Sequence, residues 1–269
     1  MSFARNKGAR IYWDEQGSGE PLLLIMGLSY PSYMWHRSRP VLRKSYRTIA
    51  LDNRGVGQSD VPPGVYSIAL MASDAAAVLD AAGTQSAHVF GASMGGMIAQ
   101  EFALQYPHRV RSLILGSTAA GGPHAVLAQP EALEALVRRD VTPEQSKEAI
   151  IPFLYDPATP RERIDEDMVI RMKWYPTPQG YMGQLQGIFG WEASSRLAQI
   201  TAPTLVIHGQ SDRLVPPTNA RLIAEQIPNA KLVLIPHAGH IFATDQPAAA
   251  HRAILEFLAV QQPRAQTQV

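Results

Sequence analysis

Six short apolar runs constrain the fold of this 269-residue chain more than any other feature of its sequence. They span residues 22–26, 47–51, 87–90, 110–115, 204–208 and 231–235. Continuous apolar runs of this length are typical of strands that are buried on both faces of a parallel sheet. Helix-periodic segments separate most of them, at 67–79, 94–106, 218–226 and 248–260, with Ser67 and Thr218 as predicted N-caps. Because strand and helix alternate, we expect an α/β fold with a mainly parallel sheet.

One long segment, residues 121–200, breaks this alternation because it holds no strand candidate. Several helix patterns separated by prolines occupy it instead, which predicts a helical cap inserted into the fold. The expected core domain therefore comprises residues 1–120 and 201–269. Near the N-terminus, Asn6-Lys7-Gly8 predicts a hairpin over residues 3–14, and the Gln-rich residues after Gln261 are expected to fray.

Composition and charge exclude several classes of function. Hydrophobic residues make up 46% of the chain and charged residues 17%, values that suit a globular enzyme. A net charge of +1 without a basic run predicts neither a nucleic-acid partner nor a membrane partner. The absence of cysteine excludes disulfides, a thiolate nucleophile and cysteine-ligated zinc. The first residues lack the apolar core of a signal peptide, so we expect a soluble cytoplasmic protein, with monomer and homodimer both open.

The most informative motif is Gly91-Ala92-Ser93-Met94-Gly95, which lies between a predicted strand and a predicted helix. It matches the nucleophile elbow Gly-x-Ser-x-Gly, in which a sharp turn holds the serine hydroxyl clear of the backbone. Such a turn has room only for very small residues on either side of the serine, and Gly91 and Gly95 meet that need. A small-residue turn that only packs a helix on a strand is the alternative. The flanking elements favour Ser93 as a nucleophile.

A serine nucleophile needs a base and a group that orients the base. His240 follows the last predicted strand in a Gly-containing loop and is the preferred base, whereas His237 lies nearer the strand end, where it could cap or pack. Asp212 follows the preceding strand, between serine and histidine in chain order. It could instead make an ordinary turn or a surface pair with Arg213. We predict that Asp212 orients His240 and stabilises its charged form.

Acyl transfer also needs two donors for the oxyanion of the tetrahedral intermediate. The backbone N–H of Met94, directly after the nucleophile, is the first predicted donor. The N–H of Leu28, which follows the first long buried strand, is the second.

These motifs together resemble the serine hydrolases of the α/β-hydrolase superfamily, in particular small cap-bearing esterases and enol-lactonase-like members. The likeness also includes Gly27 with Trp35 downstream, and segments 52–59, 208–212 and 238–240. It implies an eight-stranded sheet with one antiparallel strand, a Ser-Asp-His triad, no cofactor and a helical cap over the pocket. Many relatives have His where this chain has Met26, which makes this loop more apolar. The haloalkane dehalogenases and epoxide hydrolases that share this likeness use a carboxylate where this chain has Ser93, which indicates acyl transfer here.

Two further motifs are weak. Gly55-Val56-Gly57 lacks the third glycine and the following helix of a dinucleotide-binding loop, so we interpret it as a tight turn. His237 and His240 have the spacing of a ligand pair, but no third ligand is suitably placed. We therefore expect neither a bound cofactor nor a metal ion.

Six bulky side chains are candidates for the substrate pocket: Trp35, Trp174, Tyr181, Phe189, Trp191 and Ile241. The aromatic residues of the cap could equally form the cap's own core. No cap residue is expected to place a fixed charge in the pocket, although the sequence does not show which way the side chains of Lys173 and Arg196 point. The expected partner is a small or medium, largely apolar carboxylic ester or lactone.

Three other functions remain compatible with the same motifs. One is hydrolysis of a carbon–carbon bond in a diketone, and another is perhydrolysis of the kind seen in cofactor-free haloperoxidases. The third is a slow-turnover ligand receptor or signalling protein. A purely scaffolding protein would give Ser93, Asp212 and His240 no reason to come together.

Overall fold

The computed structural model describes residues 2–138 and 141–261. Eight strands form one sheet: β1 (Ser2–Asn6), β2 (Ala9–Gln16), β3 (Glu20–Ile25), β4 (Tyr46–Leu51), β5 (Ala87–Ala92), β6 (Val110–Gly116), β7 (Thr204–Gly209) and β8 (Lys231–Ile235). All six strands predicted from apolar runs are present, with boundaries that differ from the prediction by at most two residues. The predicted N-terminal hairpin is formed by β1 and β2.

The strands lie in the order β1-β2-β4-β3-β5-β6-β7-β8. Strand β2 is antiparallel to both of its neighbours, whereas every pairing from β4 to β8 is parallel. Lys7 and Gly8 join β1 to β2 with positive φ angles of 44° and 81°, as a two-residue hairpin turn requires. The expected eight-stranded sheet with one antiparallel strand is confirmed.

The described residues form ten α-helices. They are α1 (Arg39–Leu42), α2 (Ile68–Ala81), α3 (Met94–Gln105), α4 (Pro130–Val137), α5 (Pro143–Leu154), α6 (Arg161–Lys173), α7 (Pro178–Phe189), α8 (Thr218–Gln226), α9 (Phe242–Asp245) and α10 (Pro247–Ala259). Ser67 caps α2 as predicted, because its hydroxyl accepts the N–H of Leu70 at 3.1 Å. The predicted cap at Thr218 is wrong. Pro217 already has helical angles, so Thr218 lies inside the first turn, where its side chain caps nothing.

Strand β3 shows how the sheet is buried on both faces. Leu22 and Leu24 pack into one hydrophobic cluster, while Leu23 and Ile25 pack into another. All four side chains are fully buried. Because successive strand residues point to opposite faces, a continuous apolar run is what a sheet covered on both sides requires.

Between β6 and β7 the chain forms α4–α7, and no strand occurs in the described parts of residues 121–200, which we call the helical insertion. The insertion has a small hydrophobic cluster of its own, centred on Ile150, Leu154 and Met168. Leu214 and Ile241, from loops after β7 and β8, pack against that cluster. The insertion therefore lies on the edge of the sheet where the parallel strands end.

Two other expectations concern the ends of the chain and membranes. The tail after Gln261, predicted to fray, lies outside the described residues. No helix in the described ranges is long and apolar enough to cross a bilayer.

Candidate active site

Ser93 occupies a sharp turn between the end of β5 and the start of α3. Its backbone angles, φ 57° and ψ −123°, are unusual for a residue with a side chain. Four hydrogen bonds hold this conformation. Ser93 N–H donates to Gly116 O at 2.8 Å, and Ser93 O accepts Gly96 N–H at 2.8 Å, Met97 N–H at 3.3 Å and the Thr118 hydroxyl at 2.7 Å. Strained backbone of this kind persists where the surroundings over-determine it, as they do here.

The glycines around Ser93 are required by close backbone contacts. A Cβ atom on Gly91 would lie 2.1 Å from Gly95 O, and one on Gly95 would lie 2.1 Å from Ile25 O. A Cβ on Gly27 would lie 2.9 Å from the Ser93 Cβ and 3.4 Å from its Oγ. Each glycine therefore allows β3, β5 and α3 to meet closely, and Gly27 also leaves space beside the serine hydroxyl.

Asp212 and His240 form a buried pair at the ends of neighbouring strands. Asp212 Oδ2 lies 2.9 Å from His240 Nδ1, and the residues follow β7 and β8 respectively. The other carboxylate oxygen accepts the N–H groups of Leu214 at 2.9 Å and Val215 at 2.8 Å. Because parallel strands end at one edge of a sheet, Asp212, His240 and Ser93 share that edge. Ser93 and His240 also line one cavity.

The charge state of Asp212 follows from its surroundings. Burial alone would raise the pKa of this carboxyl, but the charge of His240 and the hydrogen bonds from His208 and His240 lower it to about 2. Asp212 is therefore an anion at neutral pH. It can hold the Nδ1 proton of His240 and leave Nε2 available to act as a base.

His208 is a residue of the site that sequence reasoning did not assign. Its Nε2 lies 2.8 Å from Val215 O and 3.0 Å from Asp212 Oδ2. Both neighbours are acceptors, so Nε2 carries the proton and donates. The sequence feature that could have indicated this contact is the spacing of four residues between His208 and Asp212. By contrast, His237 is exposed at the surface.

Leu28 and Met94, the predicted oxyanion donors, both line the cavity. Met94 is the first residue of α3, so its N–H has no partner within the helix. Among the described residues, no acceptor binds the N–H of Leu28 or of Met94. Both groups are therefore available to a bound oxygen.

Gln184, on α7 of the insertion, holds the loop that carries Leu28. Its side-chain Oε1 accepts the N–H of Ser29 at 2.9 Å, and its Nε2 donates to Arg54 O at 2.8 Å. Gln184 is fully buried, and Ser29 has a positive φ of 67°. Nothing in the sequence pattern pointed to this glutamine, because its partners are more than 100 residues away in the chain.

The turn at residues 52–59 also forms hydrogen bonds to the loop that carries Leu28. Buried Asp52 accepts the N–H groups of Ser32 at 2.6 Å and Gln58 at 2.8 Å, and Asn53 Nδ2 donates to Met26 O at 2.8 Å. Since these contacts are internal, the turn has a structural role.

The cavity has a volume of about 350 Å³ and a mostly apolar wall. Of the six predicted pocket residues, Phe189, Trp191 and Ile241 line it. The structure does not bring the other three into the wall. Trp35 packs on Phe90 at a centroid distance of 4.7 Å, Trp174 stacks on Tyr33 at 5.7 Å, and the Tyr181 hydroxyl donates to Leu136 O at 2.8 Å.

The expectation that no insertion residue places a charge in the pocket needs correction. Arg196 pairs with Glu101 at 2.9 Å and Lys173 is exposed beside Trp174, so neither lines the cavity. Arg171 does line it, and its side chain is buried. Within the described ranges, no three His, Asp or Glu side chains come close enough together to hold a metal ion.

A second buried carboxylate connects the histidine loop to the insertion. Asp245 accepts the N–H of Gly239 at 2.6 Å, the N–H of Asp156 at 3.2 Å and the hydroxyl of Thr159 at 2.6 Å. Burial raises the pKa of Asp245 to about 6, although these hydrogen bonds oppose the increase. The residue before His240 is thus held by a group that titrates in mildly acidic solution.

Comparisons with known proteins agree with this architecture. A family model described as the alpha/beta hydrolase fold matches residues 20–247. A protein named carbamate hydrolase RutD from Azorhizobium caulinodans is 32% identical over 262 residues, which cover 96% of this chain and 98% of that protein. A 2-hydroxy-6-oxononadienedioate/2-hydroxy-6-oxononatrienedioate hydrolase from Burkholderia vietnamiensis is 33% identical over 269 residues, with 93% and 91% covered.

A solved structure is similar over nearly the whole chain. It is a thermophilic esterase from Thermogutta terrifontis with malate bound, which is 31% identical, has a TM-score of 0.85, and is matched over 97% of this chain and 99% of that one. Because the family model extends over most of the sequence and the sheet has the order described above, this protein belongs to the alpha/beta hydrolase fold family.

Proposed function

We propose that the protein is a serine hydrolase that cleaves a small to medium carboxylic ester or lactone through an acyl-enzyme on Ser93. The observation that carries the proposal is the buried pair of Asp212 and His240 at 2.9 Å, at the same sheet edge and in the same cavity as Ser93. A surface aspartate or a packing histidine would need neither this contact nor this position.

The proposed cycle begins when His240 Nε2 takes the proton of Ser93 as its hydroxyl oxygen attacks the substrate carbonyl. The N–H groups of Leu28 and Met94 stabilise the oxyanion that forms. Collapse of the tetrahedral intermediate transfers the proton from His240 to the leaving alcohol and leaves an acyl group on Ser93. Water then attacks the acyl carbon while His240 takes one of its protons. As the bond from the acyl carbon to Ser93 Oγ breaks, His240 returns that proton to Ser93, which releases the acid and restores the serine.

An ester or lactone is favoured by the esterase that is 31% identical over nearly the full length. Carbamate hydrolysis and cleavage of an oxo-dienedioate would use the same nucleophile, and relatives at 32% and 33% identity are named for substrates of those kinds. They are therefore the alternative outcomes of the test.

The test compares p-nitrophenyl esters of increasing chain length with wild-type protein, Ser93→Ala and Ser117→Ala. Ser117 is the matched control because it is buried in the same cavity and also has a positive φ, of 44°. We expect Ser93→Ala to lower kcat by about 10⁵-fold or more and to abolish covalent labelling by a fluorophosphonate. Ser117→Ala should retain the label.

Labelling on Ser93 without ester turnover would keep the nucleophile and shift the substrate to a carbamate or a carbon–carbon bond. If folded wild-type protein shows no labelling and no turnover, the proposed function is contradicted.

A further inference from the structure

Arg171 is a buried cation in the wall of the candidate active site. It lies on α6 of the insertion, and only 6% of its surface is exposed. It lines the same cavity as Ser93 and His240. Among the described lining residues it is the only Lys, Arg, Asp or Glu, in a wall that is otherwise mostly apolar. The pocket therefore contains one fixed positive charge.

No side chain of the described residues neutralises this charge. The Nε and Nη1 atoms of Arg171 are buried and have no hydrogen-bond partner, and the guanidinium forms no ion pair within the described ranges. Asp167, one helical turn away, is already used by other groups. Its contacts are with Arg37 Nε at 3.1 Å, His36 Nε2 at 3.2 Å, the Tyr155 hydroxyl at 3.1 Å and the Thr244 hydroxyl at 2.6 Å.

Aromatic rings compensate only in part for the burial of the Arg171 charge. The guanidinium carbon lies 4.9 Å from the centre of the Tyr30 ring and 6.0 Å from that of Tyr175. Such contacts are weak beside the cost of removing a cation from water without an ionic partner. A guanidinium cannot avoid that cost by losing its proton. The arrangement is therefore incomplete until an anion enters the cavity.

Tyr30 supplies a second donor at the same place. Its hydroxyl is buried without a hydrogen-bond partner, and the residue lines the cavity two positions after Leu28. Burial raises the pKa of the Tyr30 phenol, so the hydroxyl keeps its proton and can donate. An unpaired guanidinium beside an unpaired hydroxyl donor fits a carboxylate, whose oxygens accept several hydrogen bonds.

We propose that the substrate is a small ester or lactone that carries a free carboxylate, bound by Arg171 and Tyr30 while its scissile carbonyl lies against Ser93. This inference rests on the proposed hydrolase function and narrows its substrate class. The apolar wall then contacts the carbon chain between the two functional groups. A cavity of about 350 Å³ suits a substrate of that size.

The kinetic test uses two acyl groups of nearly the same shape, supplied as p-nitrophenyl esters. The succinyl ester ends in a carboxylate, and the 4-methylpentanoyl ester ends in an isopropyl group of similar size. We expect wild-type protein to prefer the succinyl ester in kcat/KM. Arg171→Met should lower kcat/KM for the succinyl ester by about 30-fold, chiefly through KM, and change the neutral ester by less than about threefold.

Two further variants guard against a loss of folding. Tyr30→Phe removes only the hydroxyl and should lower the preference for the succinyl ester by about fivefold. Lys173→Met removes an exposed cation two residues away on α6 and should leave the preference unchanged. An equal loss on both esters in Arg171→Met, or the same loss in Lys173→Met, would overturn the inference.

A binding measurement separates this inference from the proposed function. Calorimetric titration of Ser93→Ala compares succinamate with succinamide, which differs only in having an amide in place of the carboxylate. We expect succinamate to bind at least about tenfold more tightly, and Arg171→Met to remove the difference. If the difference is present but neither ester is hydrolysed by wild-type protein, the anion site stands and the hydrolase proposal fails. If both esters are hydrolysed equally and both ligands bind equally, the hydrolase proposal stands and the anion site fails.

Discussion

The sheet core and the helical insertion contribute different parts of the candidate site. The core carries Ser93, Asp212 and His240 at the ends of β5, β7 and β8. The backbone N–H groups of Ser93 and Asp212 donate to Gly116 O and Gly209 O, and the ring of His240 is held by the Asp212 carboxylate. The insertion contributes much of the cavity wall and has only a small hydrophobic cluster of its own. Under the proposed function, the reacting groups thus belong to the sheet core, and much of the wall that would contact the substrate belongs to helices whose side chains can change without altering the sheet.

Buried polar contacts make this separation incomplete. Gln184 connects α7 to the Leu28 loop, and Asp245 connects the His240 loop to residues 156 and 159. The insertion therefore helps to position groups that belong to the core. Three substitutions test how the core and the insertion divide the site between them.

The largest effect is expected within the core, from Asp212→Asn. Without the carboxylate, His240 is no longer held in the tautomer that leaves Nε2 free, and its charged form loses its partner. We expect kcat for a p-nitrophenyl ester to fall by about 10⁴-fold while the fold is retained. Asp60→Asn, which removes the charge of a half-buried aspartate paired with Arg10 at 2.9 Å, is the matched control and should retain activity. A loss below tenfold in folded Asp212→Asn would contradict the proposed role.

The second prediction concerns Asp245, which connects the His240 loop to the insertion. Its folded-state pKa of about 6 is above the ordinary value of 3.8, so the folded protein holds this proton more tightly than the unfolded chain. The contribution of Asp245 to stability is therefore full below pH 4 and is lost as pH rises from 4 to 6, by on the order of 2–3 kcal/mol. Asp212, whose pKa is about 2, acts in the opposite direction and below pH 4.

Urea unfolding of wild type and Asp245→Asn at pH 4, 5, 6 and 7 measures this contribution. We expect the free energy of unfolding of wild type, relative to the variant, to decrease from pH 4 to pH 6 and then to level off. Parallel curves over that range would show that Asp245 does not titrate as described.

The smallest effect is expected from Gln184→Leu, which removes both hydrogen bonds between α7 and the core. The N–H of Ser29 would lose its partner, and the adjacent Leu28 donor would be held less firmly. We expect kcat to fall by about tenfold, with a smaller change in KM. Gln186→Leu, on the exposed side of the same helix, is the control. Equal losses in the two variants would show that the insertion does not position this loop.

Local signals were sufficient for much of the fold. The apolar runs predicted all six of the strands β3 to β8, and Asn6-Lys7-Gly8 predicted the hairpin, because burial and turn geometry act over a few residues. Ser67 was recognised as a cap for the same reason. Thr218 was not correctly assigned, since the preceding Pro217 already has helical angles.

Local sequence patterns could not predict the contacts between segments that are far apart in the chain. Residues 171 and 173 are both basic and lie two positions apart, yet Arg171 enters the cavity and Lys173 is exposed. Two residues correspond to about 200° around a helix, so only the packing of α6 decides which of them faces inward. The same holds for Phe189, which lines the cavity, and Trp174, which stacks on Tyr33 instead.

The strand-helix alternation, the glycines that leave room for Ser93, and the chain order of Ser93, Asp212 and His240 can all be recognised in the amino-acid sequence alone. Three other features become visible only in the folded chain: Asp212 also contacts His208, Gln184 holds the Leu28 loop, and an unpaired arginine lies in the pocket. The reason is physical: steric and hydrophobic requirements of the backbone are local in the chain, whereas a cavity is defined by side chains that meet only after the sheet and the insertion have packed together.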